Sequence, residues 1–256
     1  MTMTANFPDL AGKSVFITGG GSGIGAALTE GFVAQGAQVA FVQRSDARAF
    51  CDTIASKHGS RPLFLPCDIT DTPALQAAVA QAAQAHGAVQ VLVNNAANDQ
   101  RQATFDITEE FWDQAQAINL KPYFFAAQAV LPAMKAAGRG VIVNFTSISY
   151  LMGKSGYPAY VSANAGITGL TRALAREFGP LGIRANALAP GWVLTEKQMQ
   201  MWATPETLAA HMEKQCLKEH LKAQDMVDAV LFMASDASRM MTGQTMVVDG
   251  GVAVTG

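Results

Sequence analysis

The sequence predicts an α/β fold built on one doubly wound parallel sheet with helices on both faces. Apolar runs of strand length alternate with longer, alanine-rich segments. A glycine-rich turn at residues 18–25 joins the first strand to the first helix. Strands that are buried on both faces form continuous apolar runs, and alternating strands and helices predict parallel pairing with right-handed crossovers. The expected architecture is therefore of the Rossmann type.

Each predicted element follows from its composition. Short apolar runs such as SVFITG and QVAFVQR predict strands, and the alanine-rich stretches between them predict helices, the first of which ends at Gly36. The predicted strands are 14–19, 38–44, 62–68, 89–96, 140–147, 183–191 and 245–251. The predicted helical segments are 23–36, 47–59, 72–87, 109–137, 158–179 and 223–236. Residues 191–222 are less regular, and either a substrate lid or a surface helical hairpin fits them.

Composition narrows the class of protein. Of the 256 residues, 50% are hydrophobic and 15% are charged, and no linker divides the chain, so one domain over 1–256 is expected. The net charge of −2 and the absence of a Lys/Arg run give no support for binding nucleic acid or a membrane surface. We expect no signal peptide, because the N-terminus lacks a basic region followed by an apolar run. No apolar stretch reaches the roughly 18 residues of a membrane span.

Three widely spaced cysteines, Cys51, Cys67 and Cys216, fit neither a disulfide framework nor a zinc site. A cytoplasmic protein without a metal site is expected.

The glycine-rich turn has the features of a phosphate cradle. Glycines let the backbone approach a pyrophosphate, and the following helix N-terminus supplies free N–H groups. The turn has the spacing TGxxxGxG, and Asn94-Asn95-Ala96-Ala97 follows the fourth strand. Together these motifs resemble the short-chain dehydrogenase/reductase family, and the resemblance runs essentially end to end. Ala97 departs from the family's NNAG pattern.

This resemblance implies a dinucleotide site that is assembled from several loops. Asp68 matches the position that contacts the adenine amino group, and Pro190-Gly191 with Thr195 matches the segment along the nicotinamide. The implied cofactor-binding residues are Gly19, Ser22, Gly23, Ile24, Gly25, Gln43, Arg44, Asp68, Ile69, Asn95, Ala96, Tyr160, Asn164, Pro190, Gly191, Val193 and Thr195.

The end of the second strand bears on the choice of cofactor. An acid at this position would bind the 2′-hydroxyl of NAD, whereas an arginine accommodates the 2′-phosphate of NADP. Here Gln43 stands where NAD-preferring relatives carry aspartate, and Arg44 and Ser45 could bind a phosphate. NADP is predicted, with NAD as the alternative, since a neutral glutamine excludes neither.

The catalytic residues that the resemblance implies are Asn119, Ser147, Tyr160 and the residue at position 164. Tyr160 matches the general acid/base, and Ser147 matches the group that holds the reacting oxygen. The family carries lysine one helical turn after the tyrosine, but this chain carries Asn164. That lysine holds the nicotinamide ribose and lowers the tyrosine pKa, which is near 10 for a free tyrosine. A cation at about 4–5 Å contributes roughly 3–4 kcal/mol at an effective dielectric of about 20.

Three interpretations of Asn164 are open. The first is an introduced substitution that silences an enzyme. The second is a natural residue for which another cation or a water chain compensates. The third is a natural protein that binds the dinucleotide without catalysis.

The loops that follow the strands suggest the substrate. Hydrogen-bonding groups beside aromatic faces suit a sugar or polyol. The candidate substrate residues are Asn98, Asp99, Ser147, Tyr150, Lys154, Tyr160, Trp192 and Trp202. Tyr157 is also expected to line the pocket.

The loop at 94–101 and the segment at 215–218 resemble those of bacterial aldose 1-dehydrogenases, which oxidise an anomeric hydroxyl to a lactone. A 3-oxoacyl or ketone reductase is the alternative enzyme, and a dinucleotide-binding sensor or scaffold is the alternative from another class. The resemblance also implies a homotetramer. Relatives associate through their long central helices and C-terminal segments, which correspond here to 109–137, 158–179 and the apolar VDGGVAVTG.

Overall fold

The computed structural model describes residues 5–254 and confirms the α/β architecture. The first four and the last two residues of the predicted domain lie outside the described residues. Within the described part, a single sheet has seven strands in the order β3-β2-β1-β4-β5-β6-β7, and every neighbouring pair is parallel. The strands are β1 Ser14–Thr18, β2 Gln38–Gln43, β3 Leu63–Pro66, β4 Val91–Asn94, β5 Gly140–Phe145, β6 Ile183–Pro190 and β7 Thr245–Val248.

The helices alternate with the strands and cover both faces of the sheet. They are α1 Gly23–Ala34, α2 Arg48–His58, α3 Thr72–His86, α4 Glu109–Asn119, α5 Lys121–Ala137, α6 Ile148–Leu151, α7 Pro158–Phe178, α8 Glu196–Met201, α9 Pro205–Lys214 and α10 Val227–Ala234. Short 3-10 turns lie at Pro8–Leu10, Thr104–Asp106, Gly179–Leu181, Ala223–Met226 and Asp236–Ser238.

Two predicted helical segments differ in detail from the structure. The stretch 109–137 is divided into two helices at Leu120, where the backbone is not helical, with φ at −126° and ψ at −53°. Pro122 lies in the first turn of α5, where its missing N–H leaves no helical hydrogen bond unmade. The segment 223–236 opens with a 3-10 turn before α10. Residues 191–222, for which a lid and a hairpin were both considered, contain α8 and α9.

The core consists of one apolar layer on each side of the sheet. Strands β1 and β5 are buried along their whole length. Phe32 of α1 and Leu231 of α10 pack in one layer, whereas Leu75 of α3 and Val130 of α5 pack in the other. The strand order reverses between β1 and β4, and loops that diverge at such a point leave a crevice at the carboxyl ends of the strands.

No helix within residues 5–254 is long and apolar enough to cross a membrane.

Candidate active site

A cleft of about 1150 Å³ lies over the carboxyl ends of β1, β4, β5 and β6. Most of the residues that the sequence nominated line it. They are Gly19, Ser22, Gly23, Ile24, Gly25, Asn95, Ala96, Asp99, Ser147, Lys154, Tyr160, Pro190, Gly191, Trp192, Val193, Thr195 and Trp202. Eight nominated residues lie outside its lining: Gln43, Arg44, Asp68, Ile69, Asn98, Asn119, Tyr150 and Asn164. Of the two tyrosines that were expected to line the pocket, Tyr157 does so and Tyr150 does not.

The glycine loop between β1 and α1 has no room for a side chain at Gly20 or Gly25. A Cβ at Gly25 would lie 1.9 Å from the carbonyl oxygen of Gly19, and Gly19 itself has a φ of +71°. Ser22, the N-cap of α1, makes no side-chain capping bond to any described residue. Because the first N–H groups of a helix lack intrahelical acceptors, the start of α1 offers donors and a partial positive charge to an anion. The loop therefore fits a dinucleotide pyrophosphate.

The motif after β4 fixes the other wall of this cradle. The Asn95 side chain donates from Nδ2 to the carbonyl oxygen of Thr18 at 3.0 Å. The Thr18 hydroxyl accepts from the backbone N–H groups of Asn95 and Ala96, at 2.9 and 3.1 Å. These bonds join the ends of β1 and β4 at the point where the strand order reverses.

The expected adenosine end has its own network. Gln43 Oε1 accepts from the Gly21 N–H at 3.0 Å, and Gln43 Nε2 donates to Ser45. The guanidinium of Arg44 is largely exposed, with Nη1 at 3.9 Å from Asp68 Oδ2. Hydrogen bonds from Thr70 lower the pKa of Asp68 below its usual range. The Gln43 amide thus bonds within the protein, while the Arg44 guanidinium keeps most of its surface exposed beside Asp68.

Tyr160 and Ser147 face the same cleft from α7 and from the N-cap of α6. Burial raises the pKa of Tyr160 to about 12, and the negative charge of Asp99 adds to the increase. Hydrogen bonds with Asn164 and Ser147 act in the opposite direction. The pKa of Tyr160 therefore lies above that of a free tyrosine, and the sequence alone gives no measure of the burial that causes most of the increase.

Asn164 is nearly buried, at 3% exposure, and carries no charge. Its Nδ2 donates to the backbone carbonyl of Tyr160 at 2.8 Å, one helical turn earlier. The Thr146 hydroxyl donates to the Asn164 carbonyl at 2.8 Å and joins α7 to the end of β5. The strongest neighbouring charge at Tyr160 is that of Asp99, and its sign disfavours ionisation.

Asn119 acts as a brace in the structure. It is buried at the end of α4, and its Oδ1 accepts from the Asn98 backbone N–H at 2.7 Å. Its Nδ2 donates to the carbonyls of Asn98 and Ala115, at 3.1 and 2.9 Å. Asn119 thereby fixes the loop after β4 just before Asp99.

The substrate end of the cleft joins this loop to α8. Asp99 Oδ2 accepts from Gln198 Nε2 at 2.7 Å, and Asp99 Oδ1 lies 3.1 Å from Lys197 Nζ. Burial disfavours the carboxylate, but these two partners hold the pKa of Asp99 below its usual range. Gln198 Oε1 also accepts from Trp192 Nε1 at 2.8 Å. Gln198 and Lys197 were missed by the sequence analysis, because nothing local marks a contact that spans about a hundred residues.

Aromatic rings and cations complete this end. The Arg101 guanidinium lies 4.0 Å from the ring centroid of Trp202 and 5.5 Å from that of Tyr157. The Tyr157 ring stacks on Tyr160, with the centroids 5.5 Å apart. Two buried ring nitrogens, Trp202 Nε1 and His211 Nε2, have no hydrogen-bond partner among the described residues. The arrangement offers hydrogen bonds and apolar faces to a small polar molecule.

Comparisons with known proteins agree with this geometry. A family model described as Enoyl-(Acyl carrier protein) reductase matches residues 19–253. The protein named "Probable galactose dehydrogenase GalD" of Rhizobium meliloti (strain 1021) is 49% identical over 251 residues, 97% of this chain and 98% of that protein. The D-xylose 1-dehydrogenase of Caulobacter vibrioides (strain NA1000 / CB15N) is 43% identical over 250 residues, again 97% and 98% of the two chains.

A solved structure gives the same picture. The 3-oxoacyl-[acyl-carrier protein] reductase from Brucella melitensis ATCC 23457 superposes with a TM-score of 0.91 at 28% identity, covering 100% of this chain and 99% of that chain.

Proposed function

The chain belongs to the short-chain dehydrogenase/reductase family, and we propose that it oxidises the anomeric hydroxyl of an aldose to a lactone. The observation that carries the proposal is the substrate end of the cleft, where Asp99, Gln198 and Trp192 form one hydrogen-bonded group. The partnerless nitrogens of Trp202 and His211 add further polar capacity beside aromatic faces. Sugar hydroxyls add hydrogen bonds to such carboxylate and amide groups, whereas an acyl chain offers none.

Tyr160 and Ser147 supply the proton chemistry in this proposal. Ser147 holds the anomeric oxygen by a hydrogen bond, and the phenolate of Tyr160 removes the hydroxyl proton. The nicotinamide, when bound, provides the acceptor for the hydride from the anomeric carbon. The C–H and O–H bonds are thus both broken, and the products are a lactone, a reduced cofactor and a proton. Both relatives are named as sugar dehydrogenases, and those names support oxidation as the direction of the reaction.

NADP is the proposed cofactor, with NAD as the alternative. The glycine loop with the start of α1 would hold the pyrophosphate, and Arg44 would meet the 2′-phosphate. Gln43 places no negative charge against that phosphate, and its amide is engaged with Gly21 and Ser45. Asp68 lies near Arg44 but leaves the guanidinium exposed.

Asn164 makes this chain a slow enzyme in our proposal. The phenol of Tyr160 has a pKa of about 12, so very little phenolate is present near neutral pH. Lys154 lines the same cleft and is the first candidate for a compensating cation, yet the dominant charge at Tyr160 is the carboxylate of Asp99. This favours a silenced site over a compensated one, and it leaves a non-catalytic binder as an outcome of the test below.

We propose a homotetramer in the cytoplasm. Large apolar side chains remain exposed on the helices that were expected to form subunit contacts, with Trp112 on α4 at 39% and Phe124 on α5 at 44%. Val254, in the apolar terminal segment that was expected to pack on a neighbour, is 73% exposed, and the segment's last two residues lie outside the described part. The free thiols Cys51, Cys67 and Cys216 support a reducing compartment.

A turnover panel tests the assignment. The chain is assayed with NADP⁺ and NAD⁺ against galactose, xylose, glucose and arabinose, and in the reverse direction against 3-oxoacyl thioesters and simple ketones. Aldose oxidation with lactone formation supports the proposal. Reduction of the thioester alone would replace it with the second candidate, a 3-oxoacyl reductase, which the name of the Brucella structure supports. Cofactor binding without turnover, even with lysine at position 164, would assign a binding protein.

A further inference from the structure

Three cations converge at the substrate end of the cleft. Arg101 comes from the loop after β4, Lys154 from the loop after α6, and Lys214 from the last turn of α9. Arg101 and Lys154 both lie near the aromatic ring of Tyr157. The Arg101 Cζ is 5.5 Å and the Lys154 Nζ is 5.9 Å from the centroid of that ring. Three separate segments of the chain thus bring positive charge to one place.

No carboxylate of the described residues neutralises these cations. The side chains of these three residues form no salt bridge and no hydrogen bond with another residue in the part of the chain that the structure describes. Of the two acidic residues that line the cleft, Asp99 is paired with Lys197, and Glu196 accepts from Gln200 on α8. The substrate end therefore carries an excess of positive charge.

The neighbouring groups show that this excess is unfavourable in the free protein. Burial lowers the pKa of Lys154, and the charges of Arg101 and Lys214 lower it further. His211, which also lines the cleft, has a pKa held below its usual value by burial and then by Lys154. Like charges that converge without a counter-charge cost free energy unless a bound anion relieves the repulsion.

The cluster lies close to the reacting tyrosine. Its three cations line the same cleft as Tyr160 but belong neither to the glycine loop nor to α1. The Tyr157 ring, which Arg101 and Lys154 both approach, stacks on the ring of Tyr160 at a centroid separation of 5.5 Å. A pentose or hexose with its anomeric carbon at Tyr160 would direct its far end toward the cations.

We propose that the substrate is an aldose with an anionic group, a carboxylate or a phosphate, at the end remote from the anomeric carbon. Arg101, Lys154 and Lys214 bind that group. Asp99, with Lys197 and Gln198, stays available to the ring hydroxyls. The inference rests on the proposed aldose oxidation and names its substrate class. A carboxylate at this end defines a uronate, and a phosphate defines a sugar phosphate, so the two sources need separate arms in the test.

The test compares matched sugars at pH 8 with NADP⁺. Galacturonate is measured against galactose, and glucose 6-phosphate against glucose, as ratios of kcat/KM. Hydrogen bonds to charged groups predict a preference of about tenfold or more for at least one anionic member. Lys154→Met and Lys214→Met each lower that ratio severalfold, chiefly through KM. Lys135→Met, an exposed lysine at the end of α5, leaves the ratio unchanged. Dissociation constants measured by titration in the presence of NADP⁺ give the same ratios if turnover is too slow.

The outcomes are distinct. Preference for the uronate or for the sugar phosphate supports the inference and identifies the anion. Equal or better use of the neutral sugars, or ratios that Lys154→Met and Lys214→Met leave unmoved, overturns the inference while aldose oxidation stands. If no aldose of either charge binds or reacts and a thioester is reduced, the proposed function fails and the inference fails with it.

Discussion

Replacing Asn164 with lysine should restore the ionisation of Tyr160. The phenol has a pKa of about 12 with asparagine in place. An ammonium group at about 4–5 Å contributes roughly 3–4 kcal/mol at an effective dielectric of about 20, or two to three pKa units. Asn164→Lys should therefore bring the pKa of Tyr160 to about 9–10 and raise the phenolate fraction at pH 8 by about a hundred- to a thousandfold.

The assay is a pH–rate profile of aldose oxidation for the two proteins side by side. Oxidation requires the phenolate, so the rate rises by about tenfold per pH unit below the pKa of Tyr160 and levels off above it. With asparagine the profile should still be rising at pH 10, and with lysine it should level off near pH 9–10. Asn164→Met is the matched control, because its side chain is long and carries no charge. It should not gain activity.

Two results would refute this reasoning. A chain that is already fast at pH 7 and gains nothing from Asn164→Lys must have another activating group, with Lys154 the first to examine. Equal gains from Asn164→Lys and Asn164→Met would show that shape rather than charge limits the site. In either background, Tyr160→Phe should abolish turnover while cofactor binding persists, and retained activity would remove Tyr160 from the mechanism.

Three further predictions concern the cofactor and the assembly. Arg44→Ala should weaken NADP binding by about tenfold or more without changing NAD binding, and isothermal titration showing an unchanged preference would contradict the role of Arg44. Gly25→Ala should destabilise the fold by roughly 1–3 kcal/mol and abolish cofactor binding, because its Cβ would lie 1.9 Å from the Gly19 carbonyl oxygen. Denaturant titration should show no such loss for Gly169→Ala, whose Cβ would meet no described atom within 4 Å beyond its own helix. Light scattering should give a tetramer that Phe124→Glu dissociates, and a monomer in the unmodified chain would be a refutation.

Some of the site follows from local sequence. The glycine loop, Ser147 and Tyr160 each lie within a few residues of the strand or helix that positions them. Once the strands are identified, their carboxyl ends meet at one edge of the sheet. The break at Leu120 was not predicted, because helical periodicity continues across it on both sides and backbone geometry at one residue leaves no mark in composition.

The sequence by itself determined the alternating strands and helices, the phosphate cradle and the asparagine at position 164. These depend on contacts between residues close in the chain, where periodicity and glycine spacing carry the information. Only the tertiary structure decided that Tyr160 is hard to ionise, since burial and the charge of Asp99 arise from segments far apart in sequence. The bridge from Asp99 through Gln198 to Trp192 and the convergence of Arg101, Lys154 and Lys214 are tertiary in the same sense. Charges interact through space, and only folding brings these side chains within range of one another.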